Sequence, residues 1–167
     1  MNSIIDLLER FEGIIGTLLG VVITFILTAL FKKMGKVYYD LYDWYSAFYG
    51  QNDFGEFAEV YDLNRASYYT FNFSLRIYNS SELSKAIKNL KVEFYLKDGK
   101  IIETPIHDYL GKEKLNSINI FPKQIIEYEL YGTVLNEQIK TMDEVKEVYF
   151  VAEDYKNRRI KELIYKF

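Results

Sequence analysis

From Gly13 to Phe31 the chain carries 19 consecutive uncharged residues, GIIGTLLGVVITFILTALF, closed by Glu12 on one side and Lys32-Lys33 on the other. A helix of that length covers about 28 Å, close to the roughly 30 Å of a bilayer's hydrocarbon core. The run predicts a membrane-spanning helix. Ser3 and Asp6 have the spacing of a capping box, which places the helix start there. Ile4, Ile5, Leu7, Leu8 and Phe11 give it an amphipathic opening turn or two at the interface. Residues 1–33 are expected to form this anchor.

After the helix the hydrophobic period falls from that of a helix to two. Tyr69, Phe71, Phe73, Leu75 and Ile77 alternate with Tyr68, Thr70, Asn72, Ser74 and Arg76, the pattern of a strand buried on one face, and Asn79-Ser80-Ser81 stops it. A short polar excursion follows. Leu90, Val92, Phe94 and Leu96 then form a second inward row, and Asp98-Gly99 supplies a tight hairpin into 100–106. Residues 107–122 are expected to be irregular. Ile126, Tyr128, Leu130 and Gly132 make a third row, 135–143 a polar connection, and Val148, Phe150 and Ala152 a fourth, which Asp154 to Asn157 turns back into 160–167.

The aromatic segment Val37 to Tyr49 sorts badly by either period. A helix along the membrane interface fits Val37, Leu41, Trp44 or Tyr45, and Phe48; alternation over 38–45 mixes polar with apolar on both faces. The strand reading is preferred narrowly, because it supplies a missing first strand, with 34–66 forming a juxtamembrane segment and loop and 67–167 the domain. Six or seven short strands without helix-length separations predict an all-β sandwich, with a small β-barrel as the alternative.

Charge changes the picture at the flanks of the run. Asp6, Glu9, Arg10 and Glu12 precede it, whereas Lys32, Lys33 and Lys36 follow it, so the positive-inside rule predicts an outside N-terminus and a cytoplasmic domain. A cleavable signal peptide is disfavoured by the acidic start, the long apolar core and the poor cleavage pattern at 28–31. Residues 32–167 carry 20 basic and 21 acidic side chains, which argues against nucleic-acid binding. The basic stretch Lys156, Arg158, Arg159, Lys161 and Lys166 is expected to be a solvated hairpin. The 16 Tyr and 12 Phe favour pleated, half-buried surfaces, and the absence of Cys excludes disulfides and thiolate chemistry.

The segments FNFSLRIYNSSELSKAIKNLKVEFYLKDGK, INIFPKQIIEYELYG and EVYFVAEDYKNRRIKELIYKF, with the anchor, resemble small single-pass membrane proteins with an immunoglobulin-like β-sandwich from low-GC bacteria, their prophages and mobile elements. The resemblance implies an immunoglobulin-like antiparallel sandwich, signalled by the Asn79-Ser80 break, Phe121-Pro122-Lys123 and the Asp154 turn. It carries no catalytic residue across, and fold alone assigns no function.

Candidate chemistry is sparse. His107 is the only histidine and lacks a nucleophile motif beside it, so a loop histidine is expected. No zinc or calcium ligand spacing and no phosphate-cradling glycine loop occurs, so neither metal, cofactor nor enzymatic activity is expected. Two features point to association instead. Gly13, Gly16, Gly20, Thr24 and Thr28 share one helix face, a small-residue ridge suited to helix packing and a homo-oligomer, although Gly and Thr are common in such helices. Tyr68, Tyr95 and Tyr131 point outward by alternation and are expected either to form a patch for a protein partner or to pair across strands.

Three roles follow as expectations. The first is a non-enzymatic interaction or sensor module held at the inner face of the membrane. The second is an oligomerising membrane effector in anti-phage defence, and the third an extracytoplasmic adhesion or exclusion module.

Overall fold

The computed structural model describes residues 2–61, 63–135, 137–139, 141 and 144–167, with the side chains of 2–10, 32, 33 and 63 outside that description. The Ser3/Asp6 capping box and the side chains of Lys32 and Lys33 therefore lie outside the described residues. One helix, α1 (Asn2–Lys33), contains the apolar run, and none of its 21-residue stretch Phe11–Phe31 is buried. By length and composition it can cross a membrane.

The rest of the described chain is an antiparallel sandwich of ten strands: β1 (Val37–Gln51), β2 (Phe57–Glu59), β3 (Ala66–Asn79), β4 (Lys85–Leu96), β5 (Ile101–Pro105), β6 (His107–Asp108), β7 (Ser117–Ile120), β8 (Ile125–Leu135), β9 (Val145–Asp154) and β10 (Arg159–Lys166). One sheet runs β2-β1-β3-β8-β6; the other runs β10-β9-β4-β5, with β7 also paired to β4. The predicted inward rows are the core. Tyr69, Phe71, Leu75 and Ile77 of β3 are fully enclosed, facing Val92 and Phe94 of β4 and Val148, Phe150 and Ala152 of β9. Gly132, in the inward row of β8, lies under the Phe71 ring, where an added Cβ would come within 2.3 Å of Cζ.

The aromatic segment 37–49 is a strand, and a β-bulge explains its poor alternation. Pairing with β3 shifts between Tyr42↔Ser74 and Tyr45↔Asn72, and Asp43 there adopts φ 55°. One extra residue reverses which side chains face the core. Val37, Tyr39 and Leu41 pack inward before the bulge, and Trp44 and Phe48 after it, with Trp44 stacked on Phe71 at 5.4 Å.

Three expectations are corrected. The excursion before Leu90 is already strand: β4 starts at Lys85, with Ile87 buried and a second bulge at Asn89, φ 54°. Residues 107–122 are not wholly irregular, since they contain β6 and β7; four residues, Ser-Ile-Asn-Ile, are too short to announce a period, yet Ile118 and Ile120 are enclosed. In the polar connection 135–143, Ile139 is fully buried and plugs the core. Two open sheets, joined where Thr104 Oγ1 donates to the Thr133 carbonyl at 2.9 Å, make a sandwich rather than a closed barrel.

Candidate functional site

The helix, the joint below it and the outer sheet faces carry the residues singled out above. On α1, an added Cβ at Gly13, Gly16 or Gly20 would meet nothing within 4 Å, and Thr24 and Thr28 are exposed on the same helix. Thr17 Oγ1 donates to the Gly13 carbonyl at 2.7 Å, so this hydroxyl is satisfied within the helix. The ridge is open to a second helix.

Lys36 stands in the joint rather than in the helix. Its N–H donates to Ser80 Oγ at 2.9 Å, and its carbonyl accepts from the Ser80 N–H at 2.9 Å. Beside it Gly35 has φ +117° and lies so close to Ser81 that an added Cβ would be 2.6 Å from its Cα. Only glycine accepts both the positive φ and that approach. Behind Ser80 the buried Asn79 amide donates to the carbonyls of Leu83, Ile120 and Phe121 at 2.8, 3.1 and 3.2 Å, and its Oδ1 accepts from the Ser81 N–H at 3.0 Å. The Asn-Ser-Ser break is thus a knot that ties the chain leaving the helix to loops from both sheets.

The three tyrosines do point outward, but the structure does not bring them together. Tyr68 and Tyr131 lie on the outer face of the first sheet; Tyr95 lies on the outer face of the second, across the core. Tyr68 stacks on Tyr49 at 6.1 Å and contacts Phe57 at 5.1 Å. Tyr131 meets His107 at 5.3 Å and Tyr109 at 6.0 Å. His107 is therefore a strand residue paired to Tyr131, not a loop histidine. A single three-tyrosine patch would need one face, and consecutive sheets of a sandwich present two.

Around Tyr95 the basic C-terminal stretch folds back onto the sheet. Lys161 lies over the rings of Tyr95 and Tyr149, at 3.9 and 3.8 Å from their centroids. Tyr149 donates to Glu147 at 3.0 Å, which holds the Glu147 carboxyl below the usual carboxylate range and pushes the phenol up. Glu93, only 1% exposed although it faces outward, is closed over by Lys91 at 3.3 Å, by Arg159 and by the Tyr95 hydroxyl at 3.0 Å. These cations are engaged within the domain. Among the described residues no cluster of three or more metal-ligating side chains occurs.

Two further aromatic residues, Phe54 and Tyr61, escaped the alternation argument because they sit in loops. Phe54 and Tyr61 are 89% and 92% exposed, and half-exposed Phe57 contacts Tyr68, which stacks on Tyr49. All lie at the end of the sandwich away from the joint, where β1 ends and β3 begins. Their high exposure is the signal, and only the structure shows it.

Residues 35–165 match the YopI Ig-like domain family. The chain belongs to that family. The match begins at Gly35, so the joint and the whole sandwich lie inside it and α1 outside. A SPbeta prophage-derived uncharacterized protein, YopI, of Bacillus subtilis (strain 168) is 28% identical over 177 aligned positions covering all of both chains. Among solved structures, an uncharacterized β-sandwich protein of Clostridium difficile 630 is 9% identical over 78% of this chain and 86% of that one, with a TM-score of 0.41. The structural-genomics target SoR45 is 12% identical over 78% and 83%, with a TM-score of 0.41.

Proposed function

We propose that this YopI-family chain is a non-enzymatic, single-pass membrane protein whose immunoglobulin-like sandwich recruits or inhibits a protein on the cytoplasmic side. The observation that carries the reading is the unburied apolar helix, locked to the sandwich through Gly35 and Lys36. A helix apolar all round and packed on nothing needs a non-aqueous surrounding, and a bilayer provides one. The distal aromatic group of Phe54, Phe57, Tyr61 and Tyr68 then faces away from the membrane, where a partner has access; exposed rings of this kind are enriched at interfaces. The full-length prophage-derived relative supports a prophage or mobile-element setting.

The test is protease accessibility of a C-terminal tag in intact and permeabilised cells. Protection in intact cells, with recovery of one discrete partner by the wild type but not by a Phe54→Ser, Phe57→Ser chain, is the expected result. Cleavage in intact cells would overturn the cytoplasmic placement and favour the extracytoplasmic adhesion or exclusion role.

The open Gly13, Gly16, Gly20 face favours a second reading, in which the chain forms a homo-oligomer through α1 and acts on the membrane as a defence effector.

A further inference from the structure

The loops at the joint end of the sandwich form a surface that the aromatic rows do not include. β1 starts at this end and β3 finishes there, and the pairings of β4 with β7 and β9 bring residues 80–84, 121–124 and 155–158 to the same place. Their tips carry Leu83, Phe121 and Tyr155, the last two 60% and 58% exposed. Lys85 and Lys156 lie over the Tyr155 ring, 5.8 and 5.4 Å from its centroid, and Lys123 Nζ donates to the Ser80 carbonyl at 2.8 Å. A cleft of about 300 Å³ opens between Gly35–Val37, Lys85 and the loop that carries Tyr155 and Arg158. Across 34–36, 80–85, 121–124 and 154–158 five cations stand against two carboxylates, Glu82 and Asp154, in a chain that is acidic as a whole.

The attachment to α1 leaves this end little freedom. Helical hydrogen bonding continues to Met34, whose N–H reaches the carbonyls of Leu30 and Phe31 at 3.1 Å. Gly35 is pressed on Ser81, and Lys36 is bonded to Ser80. Four residue steps from Lys33 to Val37 reach at most about 14 Å. The headgroup layer on one side of a bilayer is roughly 5–7 Å deep, and screening sets in beyond about 8 Å. Exposed rings interleaved with lysines, at the end of the sandwich that joins the helix, match the boundary between headgroups and acyl chains.

We propose that this end of the sandwich docks on the bilayer surface, seating Leu83, Phe121 and Tyr155 at the headgroup–acyl boundary and Lys85, Lys123 and Lys156 against anionic lipid phosphates. The domain then stands on its joint end with the distal aromatic loops outermost. This inference rests on the membrane reading of α1 and adds a lipid class and an orientation to it.

The chain has no cysteine, so single substitutions give unique labelling sites. Full-length Phe121→Cys, Tyr155→Cys, Phe54→Cys and Val22→Cys chains, labelled with an environment-sensitive fluorophore, are placed in nanodiscs of phosphatidylcholine alone or with phosphatidylglycerol, with and without doxyl-labelled lipid. The expected result is a blue shift and quenching at 121 and 155 that strengthen with phosphatidylglycerol, quenching at 22, and neither effect at 54. Combining Lys85→Gln, Lys123→Gln and Lys156→Gln should remove the phosphatidylglycerol dependence. Labels at 121 and 155 as wet and unquenched as the one at 54, while 22 is quenched, would overturn the docking and leave the span intact. Quenching at 121 and 155 that is unchanged in phosphatidylcholine alone and in the triple variant would overturn the anionic-lipid recognition. An unquenched label at 22 would overturn the span and the docking with it.

Discussion

Asn79 shows how much one side chain can hold. Its amide and carbonyl satisfy backbone groups of Leu83, Ile120, Phe121 and Ser81 in a site closed to water. Asn79→Ala removes those bonds and leaves the Leu83 carbonyl to the Ser81 hydroxyl alone, and unmade buried bonds cost more than made ones contribute. We expect a loss of about 3 kcal/mol, read as a lower denaturant midpoint. Asp154 works in a more open place. Burial raises its carboxyl pKa, but the N–H groups of Arg158 and Lys156 and the Arg158 guanidinium outweigh that and hold it below the usual carboxylate range. A group depressed on folding contributes stability above its unfolded pKa, about 3.9, and loses it as pH falls through the folded value. Asp154→Ala should therefore lower the melting temperature at pH 7, by the equivalent of about 1 kcal/mol, and the gap to wild type should close below about pH 4. A gap independent of pH would remove the charge from this account.

At the level of elements, period and phase behaved differently. The rows of β3, β4 and β9 were legible because hydrophobic residues recur every second position without interruption and one face of each is enclosed. β1 was ambiguous because the bulge at Asp43 changes its phase, a backbone event that period counting reads as noise. Short β6 and β7 exist only because β8 and β4 offer free edges to pair with. For α1, the small-residue face has room for a second backbone. Gly16→Leu with Gly20→Leu should abolish any dimer crosslinked in membranes and any toxicity on induction, without changing the melting of the sandwich, since neither glycine contacts it. Crosslinking undiminished in the double variant would place any self-association elsewhere.

For the whole molecule, the joint sets the relation of helix to domain. Gly35→Val meets Ser81 backbone and a positive φ at once, so it should loosen the joint while the distant core strands keep their amide protection, a pattern hydrogen exchange resolves. In the proposed topology, orientation is set by the flanking lysines. Replacing Lys32, Lys33 and Lys36 by Glu should release the C-terminal tag to external protease in a large share of molecules, whereas unchanged protection would show that the folded sandwich, not charge, fixes the topology.

What the sequence determined by itself is whatever depends on local pattern. The apolar run, the alternating faces of the long strands, the Asp98-Gly99 and Asp154 turns and the Asn79 break are each announced by residues within about twenty positions of one another, as was the sandwich class they imply. Tertiary structure alone decided which sheet each outward residue faces. Tyr68 and Tyr95 carry the same local signal yet stand on opposite sides of the core, because strand order in a sandwich is chosen by long-range packing. The same packing brought Phe121 and Tyr155, 34 positions apart, to the loops beside Gly35, and enclosed Ile139 in a polar stretch. Alternation tells a residue that it faces outward; only the closed pairing of the two sheets tells it what it stands beside.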